Sequence, residues 1–167
     1  MLDEWRHCPR CGAEVRPADG RAECAACGYV AYAGPVPAAC ALCVDDAGRV
    51  LLTRRAWEPY AGTWDLPGGF LDEDEHPLDC VRRELAEETG LEVEPTEWFG
   101  AFMVPYGDGP GTRTVVNLVW RARVVGGVEQ AADDVSELRW FAPGELPPLD
   151  EIAMAEPLRV WLEQERV

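Results

Sequence analysis

The stretch GFLDEDEHPLDCVRRELAEETGL, residues Gly69 to Leu91, restricts the fold more than any other part of the chain. From Pro77 to Thr89 the apolar Leu78, Val81 and Leu85 and the small Cys80 recur at helical spacing, and Gly90 stands where a left-handed cap ends a helix. On that helix Glu84, Glu87 and Glu88 share one face, because they sit at i, i+3 and i+4. Solvated like-charge pairs at this spacing cost only about 0.2–0.5 kcal/mol each, so repulsion alone permits a plain exposed helix. A divalent cation turns the same cluster into a binding site. Hard oxygen ligands suit Mg²⁺ or Mn²⁺, which keep several waters and accept phosphate oxygens as further ligands. Arg83 is placed to pair with one carboxylate and orient it.

Length and charge narrow the setting. The 167 residues suffice for one main core plus a small accessory module. Formal net charge is −16, and all 15 basic residues are arginine. Such a chain repels polyanions at long range, so neither non-specific nucleic-acid binding nor attachment to an anionic membrane is expected. A small phosphate-bearing ligand remains compatible if cations mediate the contact. The N-terminal MLDEWRHCPRCG has no basic region followed by an apolar stretch, and no run approaches a membrane span, so a reducing cytoplasm is the expectation.

Residues 1–34 are cysteine-rich, and YAGPVP separates them from residues 35–167. Beyond that boundary strands and helices interleave in an α/β pattern. AACALCV and GRVLLTRR read as a hairpin across the turn DDAG, and a short strand is expected near Trp64 to Leu66. LEVEPTEWFGAFMVPY and TRTVVNLVWRARVV read as strands joined by GDGPG. SELRWF forms another strand, and an amphipathic helix runs from Pro157 to Arg166.

Cys8-x-x-Cys11 and Cys24-x-x-Cys27 set two thiolate pairs either side of a twelve-residue excursion, each followed by glycine (Gly12, Gly28). Four thiolates close a tetrahedral Zn²⁺ site, and in a reducing compartment that is favoured over two disulfides. The pattern resembles a zinc ribbon, with a structural metal and no basic patch. Cys40 and Cys43 on a strand point to opposite faces, so they and Cys80 read as small core residues.

The spacing Gly69, five residues, Glu75, seven residues, then Arg83-Glu84-Leu85-Ala86-Glu87-Glu88-Thr89-Gly90-Leu91 matches the Nudix box at every defining position. VLLTRR and GTWDLPGGF on its N-terminal side also resemble that superfamily. The resemblance implies the Nudix fold, a mixed β-sheet sandwiched between helices, here preceded by the small zinc ribbon. It implies Glu84 and Glu88 as principal Mg²⁺ ligands, Glu87 as ligand to a further metal or its water, and the Gly69 carbonyl as a loop ligand. Arg83 and Glu75 brace the motif, while Leu85 and Leu91 anchor it in the core. A carboxylate outside the box often assists in this superfamily, and Asp133, Asp134 and Glu137 are the candidates, with Asp134 and Glu137 favoured for the metal or base role.

The implied activity is cleavage of a pyrophosphate bond in a nucleoside diphosphate linked to another moiety, ADP-ribose or FAD foremost. Ribbon-bearing relatives include NADH pyrophosphatases, but their SQPWPFP-type stretch is replaced here by FGAFMVPYGDGPGTRT. NADH is therefore a secondary expectation. Arg54 or Arg55 is placed to clamp a phosphate, with only one of the two facing inward. Of the aromatic residues Trp57, Tyr60, Phe70, Phe102 and Tyr106, Phe70 and Tyr106 are the candidates to face the ligand, while Trp64 packs under the loop. Homodimers are common in the superfamily. The rival reading is a non-catalytic nucleotide sensor, against which the intact glutamate set weighs.

Overall fold

The computed structural model describes residues 2–107 and 112–165. Near the N-terminus, β1 (Arg21–Glu23) and β2 (Val30–Tyr32) form a two-stranded antiparallel ribbon. Beside it Cys8, Val15 and Cys24 form their own buried cluster with Trp5, Ala13, Cys27 and Tyr29 packed against it.

The remaining chain forms β3 (Val36–Cys43), β4 (Val50–Arg55), β5 (Trp64–Asp65), β6 (Gly68–Phe70), α1 (Pro77–Thr89), β7 (Leu91–Tyr106), β8 (Arg113–Gly127), β9 (Val135–Phe141) and α2 (Ala155–Gln164). A mixed sheet runs β6-β3-β8-β7, with β3 parallel to β8 and the other pairs antiparallel. A second, antiparallel sheet runs β5-β4-β9. The turn expected at GDGPG falls, from Asp108 to Gly111, outside the described residues, as does Arg166.

Alternation along the strands explains the two-sided core. Cys40 and Leu42 of β3 and Val50 and Leu52 of β4 pack with Trp161 and Leu158 of α2. Ala39, Ala41 and Cys43, with Leu51, pack instead with Cys80, Val81 and Leu85 of α1. Each strand thus shows a different helix-facing set on each side. Cys40 and Cys43 sit in opposite clusters, as strand geometry requires.

β3 and β4 do not form the expected hairpin ladder: they touch through the single bridge Val44–Val50 and belong to different sheets. Both are buried on both faces, so each needs flanking strands and covering layers of its own, and a lone two-stranded hairpin supplies neither. At the other end of the chain α2 begins at Ala155, two residues before the expected start. Pro157 lies within its first turn, where amides need no intrahelical partner. No helix among the described residues is long and apolar enough to cross a membrane.

α1 spans the expected residues. His76 caps it by accepting the Leu78 N–H at 3.2 Å, Pro77 opens it, and Gly90 closes it at φ 69°. A Cβ at Gly90 would also collide with the Val128 carbonyl. Gly90→Ala is therefore expected to cost about 2 kcal/mol, read as a lower denaturant midpoint at unchanged m-value.

Candidate metal and phosphate site

The loop before α1 and the helix itself face each other across a cavity of about 290 Å³. Glu84, Glu88, Gly68 and Gly69 line it from one side, with Asp133 and Asp134 from the segment entering β9 and Arg55 from the end of β4. A Cβ at Gly69 would press on the Glu84 carboxylate and force it to move. Small residues here let the helix carboxylates lie against the loop.

Glu88 is only 5% exposed, and its Oε2 accepts the Gly68 N–H at 2.9 Å. Burial pushes its carboxyl well above the ordinary range; the Gly68 bond offsets this in part, and the nearby Asp134 and Glu84 add to the rise. Glu84 is raised for the same first reason, burial, and Arg83 opposes the shift. Carboxylates crowded into a cavity at the cost of their own ionisation, with hard oxygen donors, fit a divalent cation. Glu87 behaves differently: it is half exposed, rests 3.2 Å from Arg83 Nη1 and does not line the cavity.

Arg83 holds the box together. Its Nε and Nη2 each donate to a Glu75 oxygen at 2.8 Å, Nη1 donates to Glu84 at 2.7 Å, and Nη2 also reaches the Phe70 carbonyl at 3.2 Å. The guanidinium holds Glu75 down to about 2. A carboxylate so lowered adds stability that is present above its ordinary value near 4.5 and is lost as pH falls toward 2. Arg83→Ala, which strands Glu75 and Glu84, is expected to cost about 2 kcal/mol at neutral pH. That deficit should shrink as the pH is lowered through 4, which melting curves of the two proteins from about pH 7 to 3 would show.

The structure separates the paired candidates outside the box. A bulge between Arg54 and Arg55 breaks the β4–β9 register. Arg55 turns inward, donating to the Pro59 carbonyl at 3.0 Å and to the Tyr106 hydroxyl at 3.2 Å, and it lies 3.6 Å from Asp134. Arg54 turns outward, onto the Gly62 carbonyl and, at 3.5 Å, Glu137. Neither Arg54 nor Glu137 lines the cavity. The two are cross-strand neighbours on the other side of the bulge, so their charges satisfy each other there.

Phe70 and Tyr106 do line the cavity, as an edge-to-face pair with centroids 5.3 Å apart, and Tyr60 joins them. Phe102 packs against the core instead, Trp57 is exposed, and Trp64 is buried against Phe141. Asp65 and Asn117 also line the cavity. Neither was singled out by sequence. Asp65 lies between the apolar Trp64 and Leu66, a signal that could have marked it; Asn117 in the middle of a strand carried none.

The four cysteines are free thiols in one group. All four sulfurs lie within 4.8 Å of one another, with Cys8–Cys27 at 3.7 Å and Cys11–Cys24 at 3.5 Å. Tetrahedral zinc with sulfurs at about 2.3 Å requires them about 3.8 Å apart, so the set fits that metal. Burial pushes the Cys24 thiol up, but the amides of Cys27 and Ala26 outweigh it and bring it to about 7. Among the described residues no carboxylate trio is as tightly grouped. His7 lies outside the cysteine set.

A glycine loop, an arginine-braced acidic helix and an inward arginine meet at one cavity. The NUDIX domain model matches residues 34–162, and the chain belongs to the Nudix family. It is 34% identical over 106 residues to an ADP-ribose pyrophosphatase of Methanocaldococcus jannaschii, covering 64% of this chain and 62% of that one. It is 30% identical over 147 residues to the NAD-capped RNA hydrolase NudC of Pseudomonas aeruginosa, covering 86% and 50%. The chain thus spans between half and two thirds of these relatives' lengths. A crystal structure of a NUDIX hydrolase from Nitrosomonas europaea superposes with a TM-score of 0.77 at 27% identity, covering 97% of this chain and 93% of that one.

Proposed function

We propose that the chain is a Mg²⁺-dependent pyrophosphohydrolase of the cytoplasm, acting on a nucleoside diphosphate linked to a second moiety, with ADP-ribose and FAD favoured and NADH a lesser substrate. The observation that carries this is Glu84, Glu88 and Asp134 meeting the inward Arg55 in one cavity. Glu84, Glu88 and the Gly69 carbonyl are the ligands we assign to the metal, with Asp134 as a further ligand or the base. When bound, the cation neutralises the diphosphate and makes the attacking water more acidic. Arg55 clamps a phosphate oxygen, and its hydrogen bond to Tyr106 sets the direction of the guanidinium. Asp134, 3.6 Å from Arg55, is placed to take the proton of the attacking water. Phe70 and Tyr106 provide faces on which a flat ring stacks. Glu87, bound to Arg83, holds the brace and stands ready for a second cation; Glu137 drops out as a base because it lies outside the cavity.

Residues 1–34 form a zinc ribbon whose role is structural, and residues 35–167 form the catalytic unit. The relative named as acting on NAD-capped RNA raises that substrate, but a net charge of −16 favours a small nucleotide over a polyanion. The test is ADP-ribose turnover in Mg²⁺. Equimolar AMP and ribose 5-phosphate, abolished by chelation, are expected; tight ADP-ribose binding without turnover would favour a nucleotide sensor instead.

A further inference from the structure

The same cavity holds a second polar pair, Asp65 and Asn117, with apolar residues around it. Asn117 is only 7% exposed, and its Oδ1 accepts the thiol of Cys40 at 3.5 Å. Cys40 is fully buried, and burial, followed by Asp65, pushes its thiol far up, so it stays protonated and acts as the donor. With the oxygen facing Cys40, Nδ2 has no hydrogen-bond partner among the described residues. Asp65 accepts the Leu66 N–H at 2.9 Å through Oδ1, and no donor among the described residues occupies Oδ2. Leu66, Val104 and Met154 form the apolar surround, and Ala38 and Cys40 keep the space open.

An amide donor and a carboxylate oxygen without protein partners, facing one cavity with apolar walls, suit a ligand that can satisfy both. We propose that Asp65 and Asn117 form a base-reading site for adenine, with Asp65 accepting from the exocyclic N6 amine and Asn117 Nδ2 donating to the adjacent ring nitrogen N1. Adenine carries that donor beside that acceptor on one edge, and the apolar walls suit its faces. The favoured substrates and NADH all contain an ADP half, so this deepens the reading above: the adenine enters the cavity and the diphosphate lies over Glu84 and Glu88. It rests on that reading only in taking the ligand to be a nucleotide.

The test uses monophosphates, which need no turnover. Calorimetric binding of AMP, of the analogue lacking only the N6 amine (purine riboside 5′-monophosphate) and of GMP is measured in Mg²⁺ at about pH 8.5, above Asp65, which burial raises to about 7. The wild type is expected to favour AMP over the N6-less analogue and over GMP by about tenfold or more. Asp65→Leu should erase the N6 preference, whereas Asn117→Leu should weaken AMP and the analogue alike, since both carry N1. Equal wild-type affinity for AMP and the analogue, tighter GMP binding, or an N6 preference that survives in folded Asp65→Leu would overturn the assignment. Loss of ADP-ribose hydrolysis with the base preference intact would sink the hydrolase reading and leave this site standing.

Discussion

Glu88→Gln is expected to lower pyrophosphate hydrolysis by about a thousandfold or more, ~4 kcal/mol of barrier, while the metal-free protein melts at the same temperature or higher. The two halves of that result have one origin. The glutamine oxygen can still accept the Gly68 N–H, so the loop stays docked on α1. What disappears is a charge that the fold does not favour. Glu88 is raised well above its ordinary value by burial first, so ionising it in the folded chain works against stability. The native state holds the proton that the unfolded chain releases, and metal-free stability therefore falls as pH rises from about 4.5 upward. Glutamine removes the share of that slope that belongs to Glu88. The check is a pair of melting curves in chelator near pH 5 and pH 8: the wild-type value should drop between them by more than that of Glu88→Gln. A variant that loses activity and melts lower at both pH values would show a structural role for Glu88 rather than a metal-holding one.

Cys24→Ser is expected to empty the zinc site and unfold the N-terminal ribbon. Zinc bound by four thiolates contributes about 10–16 kcal/mol of apparent binding energy in small modules, nearly all of it folding energy. The cluster around Cys8, Val15 and Cys24 is too small to offset chain entropy by burial alone. Metal analysis should find about one zinc per wild-type chain and almost none in the variant. Hydrogen exchange should lose protection at the backbone bonds Cys24 N–H to Tyr29 and Cys8 N–H to Ala13, while the amides of α1 keep theirs. Protection retained in the ribbon after zinc is lost would contradict a metal-held module.

The box helix was legible in sequence because its signals are local. Period, cap and like-charge spacing all lie within one segment, and the structure ends the helix at Thr89, where Gly90 requires it. The sidedness of Cys40 and Cys43 was legible for the same reason. The separation of β3 from β4 was not, because a turn such as DDAG suits a hairpin whether or not its strands go on to pair. What decides is the parallel alignment of β3 with β8, whose paired residues lie 79 positions apart (Val36 with Val115), which no local pattern encodes. Strand alternation showed that only one of Arg54 and Arg55 faces inward; it is Arg55, on the same face of β4 as Leu51, which packs against α1. Asn117 was invisible because its meaning comes from Cys40, its partner across that same non-local pairing.

Metal-dependent pyrophosphate cleavage is read out by a hydrolysis panel in Mg²⁺ over ADP-ribose, FAD, NADH, NAD, diadenosine polyphosphates and nucleoside triphosphates, with Glu88→Gln run beside the wild type. One of the ADP-containing diphosphates is expected to be cleaved with a kcat/KM at least about tenfold above any triphosphate, and that turnover is expected to vanish in the variant. Turnover confined to triphosphates, or equal in both proteins, would contradict it.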